Sequence, residues 1–137
     1  MTQLRAAYRG ITMDDAIARE LARGQVIDIT TTGRTTGQPR RIEIVDHVID
    51  GRIWISGMPR PEPRAWLRNL QADPRLTVHL KGNVAADLPA TARIVDDPVE
   101  RRRILAGVAR NWGRDDLDRM VEQSPLIEVV VDGYAAA

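Results

Sequence analysis

The sequence predicts a single, mostly β domain (α+β class) in which six to seven mainly antiparallel strands form a small barrel with short helices at its edges. The length of 137 residues suits one domain, since single domains usually hold roughly 100 to 200 residues. Alternating, β-branched segments follow one another through connections that are too short for parallel crossovers. No linker or repeat divides the chain, so we expect one domain over residues 1–137, with residues 1–12 as an N-terminal extension.

The composition excludes several classes of function. Lys and Arg total 20 against 19 for Asp and Glu, so no overall field would gather the chain onto nucleic acid or an anionic membrane. The chain has no cysteine, which excludes disulfides and thiolate metal sites, and its two histidines alone cannot supply a three-ligand site. Because no stretch of about 18 apolar residues occurs, we expect a cytoplasmic protein without a transmembrane segment and without a metal.

The first predicted elements are a short helix and a strand. Thr12 and Asp15 have the form of a capping box, and apolar residues then recur at helical spacing until Gly24. The segment 25–32 is β-branched and alternating, and the turn formers of 33–39 follow it. This pattern predicts a strand that leads into a hairpin loop.

Two more strands extend the first into an antiparallel meander. The strand signal resumes over residues 40–49. Asp50-Gly51 is a favoured two-residue hairpin turn, and a third strand follows over 52–56.

A helix and two strands are predicted next. The loop 57–63 contains three prolines, and the short helix predicted over 64–70 ends before Pro74. Alternating apolar residues then predict a fourth strand around 76–80 and a fifth around 90–94.

Two helices and a strand end the chain. Asp97-Pro98 predicts a helix start, because proline is tolerated in the first helical turn, and a second short helix is expected after Gly113. The last strand is predicted over 126–131. The three arginines at 101–103 are expected on the solvent face of the longer helix, opposite its apolar stripe.

Two groups of basic residues suggest anion binding. Within eight positions, the first hairpin loop and the strand after it carry Arg34, Thr35, Thr36, Arg40 and Arg41. Guanidinium forks suit phosphates and carboxylates. The second group consists of Arg60, Arg64 and Arg68, around a predicted helix start where free backbone N–H groups favour an anion. The pattern alone favours an ordinary hairpin turn and a solvated helix face over both sites.

The aromatic and histidine residues indicate no catalytic group. Trp54 and Trp66 could stack on a flat heterocycle, although a core position is more common for tryptophan at such spacing. His79 alternates with core residues and is expected on the opposite face of its strand, and His47 lies near the Asp50 turn. Neither histidine has a serine or carboxylate at a spacing that indicates a triad, so the sequence assigns no catalytic residue.

Two motifs resemble those of a known family. The stretch 30–40, Thr-Thr-Thr-Gly-Arg-Thr-Thr-Gly-Gln-Pro-Arg, resembles the signature hairpin of the deazaflavin-dependent nitroreductase family, within the flavin/deazaflavin oxidoreductases of split β-barrel fold. Ser56 and the segment 65–74, Ala-Trp-Leu-Arg-Asn-Leu-Gln-Ala-Asp-Pro, are similar to that family's Ser…Ala-Trp-x-x-Asn-Leu-x-Ala-x-Pro segment. The resemblance covers roughly residues 25–82, and the closing strand is of the same type.

The resemblance implies a split β-barrel that binds the deazaflavin coenzyme F420, whose reduced form passes a hydride to a small electron-poor acceptor such as a quinone, enone or nitro compound. The tail of this coenzyme carries one phosphodiester and several carboxylates. The implied cofactor-binding residues are Arg34, Thr35, Thr36 and Arg40 at the tail, Arg41, Ile42, Glu43 and Ile44 beside the ring, Trp54, Ile55, Ser56 and Gly57 on the facing strand, Arg60 near a phosphate, and Ala65, Trp66 and Asn69 on the helix that closes the groove. Trp112 is the aromatic residue of the segment that surrounds the acceptor in relatives.

Two alternatives stay open beside this hypothesis. FMN has one phosphate and a similar ring, so an FMN-binding split-barrel oxidoreductase could use the same groove. A non-catalytic cofactor-binding dimer is the other alternative, because the sequence offers no convincing acid or base. The resemblance leads us to expect a homodimer, since barrels of this type often pair, with a small-molecule acceptor and no nucleic-acid partner.

Overall fold

The computed structural model describes residues 13–134. This part of the chain contains the helices α1 (Asp15–Leu21), α2 (Ala65–Ala72), α3 (Pro98–Trp112) and α4 (Leu117–Gln123). Its strands are β1 (Val26–Thr32), β2 (Pro39–Ile49), β3 (Arg52–Ser56), β4 (Arg75–Lys81), β5 (Ala85–Ile94) and β6 (Leu126–Val131). None of the described helices is long and apolar enough to cross a membrane.

The six strands close into a barrel in the order β1-β2-β3-β6-β5-β4. Every neighbouring pair is antiparallel, including β1 with β4, which closes the cylinder. Closure leaves the barrel with no long unpaired edge, the arrangement by which small β domains protect their backbone groups. The mostly β, antiparallel barrel predicted from the sequence is confirmed.

Apolar side chains that point inward from the strands fill the barrel. Ile27 and Ile29 of β1 are fully buried, as is Ile127 of β6, while the strand neighbours of the two β1 residues are more exposed. Trp66 and Leu70 of α2 pack against the same cluster. Burying one such side chain contributes roughly 1.5–3 kcal/mol, so this shared core is what holds α2 against the strands.

A second apolar cluster lies between the outside of the barrel and the two C-terminal helices. Trp54 of β3 is 1% exposed and packs there with Leu105 and Val108 of α3 and Met120 of α4. The Trp54 indole N–H donates to the Ile49 carbonyl over 3.0 Å, so the buried ring has its polar atom satisfied.

The turns follow the backbone preferences of their residues. Asp50 and Gly51 both have positive φ, at 56° and 72°, as a two-residue turn matched to the twist of β2 and β3 requires. Asp97 caps α3 by accepting the Glu100 N–H over 2.9 Å. Both the hairpin and this helix start are confirmed.

The capping residue of α1 differs from the prediction. Asp14 caps this helix, and its Oδ1 accepts the N–H groups of Ala16 and Ile17 over 2.7 and 3.4 Å. The predicted cap, Thr12, lies outside the described residues. An aspartate directly before the first helical residue can reach the free N–H groups of the first turn itself, so the short helix needs no earlier cap.

Arg101 is not on the solvent face of α3, which corrects the prediction for the arginine run. Its guanidinium donates to the carbonyls of Val95, Val121 and Ser124 over 3.0, 2.8 and 2.7 Å. Burial lowers the pKa of Arg101. The helix α4 packs beside α3 at this point, and carbonyls at the end of a helix need donors from elsewhere. Arg102 is exposed, as predicted for the run.

Candidate functional site

A groove of about 320 Å³ lies between the β1–β2 hairpin and α2. Its lining residues are Thr31, Gly33, Arg34, Thr35, Thr36, Arg40, Ile42, Ala65, Trp66 and Asn69. We call this cleft the arginine groove. Both strands of the hairpin, the loop between them and one face of the helix line this groove. Two segments that are distant in sequence therefore form one site.

The loop that borders the arginine groove is folded tightly on itself. The Gly33 N–H donates to the Gln38 carbonyl and the Gly37 N–H donates to the Gly33 carbonyl, both over 2.8 Å. Gly37 has a φ of 70°, and a Cβ on Gly33 would lie 2.8 Å from Thr36 Oγ1. The positive φ of Gly37 therefore favours glycine, and a Cβ at Gly33 would force the Thr36 side chain to shift.

Asn69 joins α2 to this loop. Its side chain is 4% exposed, its Oδ1 accepts the Arg34 backbone N–H over 3.1 Å, and its Nδ2 donates to Thr31 Oγ1 over 3.1 Å. Trp66, one turn earlier on the helix, is buried in the barrel core. The amide thus hydrogen-bonds both the end of β1 and the loop after it, while the core fixes the helix.

The arginine groove has a positive side and an apolar side. Arg34 and Arg40 are exposed, and neither guanidinium makes a hydrogen bond or ion pair with any residue between 13 and 134. None of the described residues that line the groove carries a carboxylate. Ile42, Ala65 and Trp66 form the apolar wall. Unpaired guanidinium groups beside such a wall suit a ligand that has an anionic end and a flat apolar end.

Three of the predicted ring-side residues on β2 do not line the groove. Successive residues of a strand face opposite sides, and Ile42 faces the groove. Arg41 instead pairs with Asp28 over 3.0 Å on the outer surface, and Glu43 pairs there with Lys81. Ile44 packs against the barrel core.

The predicted cofactor-binding residues at the end of β3 and directly after it contact other elements and do not line the arginine groove. Trp54 belongs to the cluster beneath α3, and Ile55 is fully buried in the barrel. Ser56 donates through its hydroxyl to the Pro125 carbonyl over 2.7 Å. Gly57 lies against Arg64, whose guanidinium carbon would be 3.0 Å from a Cβ at this position.

The second basic group forms a separate cleft of about 300 Å³ before α2. Arg60 donates from Nε to the Glu62 carbonyl over 3.1 Å, and Arg64 donates to the Met58 carbonyl. Burial, with a smaller contribution from the charge of Arg60, lowers the pKa of Arg64. Arg68 lines neither this cleft nor the arginine groove.

Trp112 lies in another cleft, beside His47, near the start of β1. The structure therefore does not bring it into the arginine groove. Two groove residues that the sequence did not single out are Thr31 and Gly33. The alternation of β1 placed Thr31 on the inner face and Gly33 at the loop start, which are the signals that could have found them.

A hydrogen-bonded chain joins Thr30, His79 and Asp87 on the outer face of the barrel. His79 Nε2 lies 2.7 Å from Thr30 Oγ1, and its Nδ1 lies 2.7 Å from Asp87 Oδ1. Thr30 sits mid-strand, paired with Arg41 on β2 and Thr77 on β4, so no free backbone N–H is available to stabilise an oxyanion. The chain therefore cross-links three strands and does not have the parts of a hydrolase site. Residues 13–134 also contain no cluster of three or more His, Asp or Glu suited to a metal.

The antiparallel six-stranded barrel with a groove beside its first hairpin has the split β-barrel fold. The family model described as F420H(2)-dependent quinone reductase matches residues 3–133. The chain belongs to this family, and its enzyme class is that of the F420-dependent oxidoreductases. No curated protein sequence matches the chain.

Solved structures share the fold. A conserved hypothetical protein from Mycobacterium tuberculosis is 25% identical with a TM-score of 0.68, over 90% of this chain and 84% of that one. An F420-H2 dependent reductase, FDR-A, is 19% identical with a TM-score of 0.58, over 76% of this chain and 92% of that one. A structure described as a domain-swapped dimer is 19% identical with a TM-score of 0.58, over 76% and 78% of the two chains.

Proposed function

We propose that the protein binds coenzyme F420 in the arginine groove and uses its reduced form to reduce a small electron-poor acceptor of the quinone, enone or nitro class. The observation that carries the proposal is the pair of unpaired guanidinium groups, Arg34 and Arg40, beside the apolar wall that contains Trp66. Membership in the F420H(2)-dependent quinone reductase family supports the choice of coenzyme.

The positive side of the groove matches the anionic tail of the coenzyme. Arg34 and Arg40 would hold its phosphodiester and carboxylates, with the hydroxyls of Thr35 and Thr36 as further donors. Hydrogen bonds to charged groups contribute roughly 1.5–3 kcal/mol each. Within residues 13–134, no carboxylate of the groove lining would oppose an anion.

The apolar wall would orient the ring and exclude water from it. Ile42, Ala65 and Trp66 supply this surface, and Trp66 is fixed by the core. The bound coenzyme supplies the hydride. The groove's own side chains would bind and orient the coenzyme.

Anaerobic turnover tests the proposal. Reduced F420 is mixed with the protein and one acceptor from each class, and coenzyme oxidation is followed by absorbance; reduced FMN replaces F420 in a parallel series. We expect protein-dependent oxidation of reduced F420 by at least one acceptor. Turnover with reduced FMN alone would identify a flavin enzyme, and binding of F420 without turnover would identify a non-catalytic coenzyme-binding protein.

We also propose a homodimer. A structural neighbour is described as a domain-swapped dimer, and Val26 and Val45 form an exposed apolar pair across β1 and β2. Sedimentation velocity on the full chain would give a species of about 31 kDa, twice the 15.3 kDa of the chain, and a single monomeric species would contradict the proposal.

A further inference from the structure

Met58 is the most exposed methionine in the described part of the chain. Its exposed fraction is 52%, whereas Met120 is 0% exposed and Met13 packs against the barrel core. Met58 lies in the segment 57–64 between β3 and α2, which contains three prolines and which we call the proline loop. Exposure makes a thioether available to an oxidant in solution.

The Met58 sulfur contacts a guanidinium group from another part of the fold. Arg114 donates from Nη1 to this sulfur over 3.3 Å, while its Nε and Nη2 bond the carboxylate of Asp116. Asp116 directly precedes α4, so its carboxylate holds Arg114 in place on the connection between α3 and α4. Because a thioether is only a weak acceptor, the contact at Met58 ties the proline loop weakly to this connection.

Two further hydrogen bonds position the proline loop. The Arg60 N–H donates to the carbonyl of Gln123, the last residue of α4, over 3.3 Å, and Arg64 donates to the Met58 carbonyl. The loop leads directly into α2 at Ala65, which lines the arginine groove. A stronger bond at Met58 would therefore restrain the segment from which this helix begins.

We propose that Met58 is a reversible oxidation site, and that its sulfoxide oxygen accepts a hydrogen bond from Arg114 that holds the proline loop against the α3–α4 connection. A sulfoxide oxygen is a stronger acceptor than a thioether sulfur, and hydrogen bonds from a charged donor are about twice as strong as those between neutral groups. Because the Met58 side chain is exposed, its oxygen has room to turn toward Nη1.

Hydrogen peroxide is the oxidant in the forward step. The thioether sulfur attacks one peroxide oxygen, the O–O bond breaks, an S–O bond forms, and the other oxygen leaves as water. The sulfur thus loses the two electrons that the peroxide gains. Methionine sulfoxide reductases restore the thioether, with two thiols oxidised to a disulfide and the oxygen released as water.

This site goes beyond the proposed reductase function. Neither Met58 nor Arg114 lines the arginine groove. The experiments use the full chain without F420, so their outcome does not depend on whether the groove binds the coenzyme.

Peroxide treatment of the full chain, labelled with [methyl-13C]methionine, tests the reactivity of the site. Carbon spectra separate each thioether from its sulfoxide, and the buried Met120 serves as the internal comparison. We expect Met58 to be oxidised about tenfold faster than Met120 or more, because one thioether is exposed and the other is buried. Oxidation of Met58 no faster than that of Met120 would overturn the proposal.

Amide hydrogen exchange of residues 57–64, measured by mass spectrometry before and after oxidation, tests the new bond. We expect exchange in the proline loop to slow by about threefold or more in the oxidised protein. Arg114→Ala should abolish this slowing, because the donor to the sulfoxide is gone. Arg119→Ala makes the same change in net charge on α4, where Arg119 donates to Gln123, and should keep the slowing.

Met58→Leu shows whether oxidation elsewhere changes the proline loop, and this comparison does not require Arg114→Ala to fold. Peroxide should leave the exchange of residues 57–64 unchanged in Met58→Leu. The proposal would be overturned by unchanged or faster exchange after oxidation of the unmodified protein, by equal slowing in Arg114→Ala and Arg119→Ala, or by slowing in Met58→Leu.

Discussion

The buried Asn69 side chain accepts the backbone N–H of Arg34 over 3.1 Å, so α2 fixes the loop that carries this arginine of the groove. The same amide donates to Thr31 on β1. The residue that closes the groove is thus also the one that holds its anion-binding loop in place, which ties the stability of the hairpin to the shape of the site.

Two replacements of Asn69 separate the loss of its hydrogen bonds from the addition of a negative charge. Asn69→Ala leaves the Arg34 N–H and the Thr31 hydroxyl without their partner, and should lower the free energy of unfolding by about 1–3 kcal/mol in urea denaturation. Asn69→Asp keeps the acceptor for Arg34 and should be less destabilising, but it puts a carboxylate in the groove and should weaken F420 binding. Equal stability of Asn69→Ala and the unmodified protein would contradict the role of this residue.

Neighbouring arginines on β2 give a matched comparison for the anion site. Arg40→Ala should weaken F420 binding by about 1.5–3 kcal/mol in an equilibrium titration, because it removes an unpaired guanidinium from the groove. Arg41→Ala makes the same change in net charge, but this side chain pairs with Asp28 on the outer face, so the loss should stay below about 0.5 kcal/mol. Equal losses in the two variants would mean that only the overall charge matters.

Because the Asp46 carboxyl loses its proton in this range, the free energy of unfolding should fall as the pH rises from about 4 to about 6. Burial raises the pKa of its carboxyl to about 6 from 3.8, so the folded state holds a proton that the unfolded state has lost in this window. The shift corresponds to about 3 kcal/mol lost by pH 7. Asp46→Asn can still accept the Gln25 N–H and has no proton to lose.

The difference in unfolding free energy between Asp46→Asn and the unmodified protein isolates this group from the other carboxylates. Measured by urea denaturation, it should be small at pH 4 and should grow in favour of Asp46→Asn up to pH 7. A difference that does not change with pH would show that Asp46 titrates normally.

Arg101 and Arg102 are adjacent on α3 but should differ in their effect on stability. Arg101→Ala removes the donors to three partly buried carbonyls at the ends of β5 and α4, and should cost about 2–4 kcal/mol of unfolding free energy. Arg102→Ala breaks only an exposed pair with Asp118 and should change it by less than about 0.5 kcal/mol. Thermal denaturation of the two variants under identical conditions would show the contrast, and similar melting temperatures would refute it.

The strands and turns were predictable because their signals are local. The period of two in β1 and the Asp50-Gly51 turn depend only on neighbouring residues, and they hold in the structure. The burial of Arg101 could not be predicted in the same way, because it depends on where α4 packs.

The candidate site was predictable in part. The motif residues Arg34, Arg40, Trp66 and Asn69 do meet in one groove. The alternation of β2 turns Arg41 and Glu43, which the sequence also places beside the ring, to the outer face. The distance of Trp112 from the groove follows from how α3 crosses the barrel, which no local pattern encodes.

The most direct test of the account is equilibrium binding of oxidised F420 and of FMN to the purified apo-protein, followed in parallel titrations by tryptophan fluorescence. We predict saturable binding of one F420 per chain, with FMN bound at least tenfold more weakly because it offers fewer anionic groups to Arg34 and Arg40. Tighter binding of FMN, or no binding of either molecule, would contradict the assignment of the arginine groove as an F420 site.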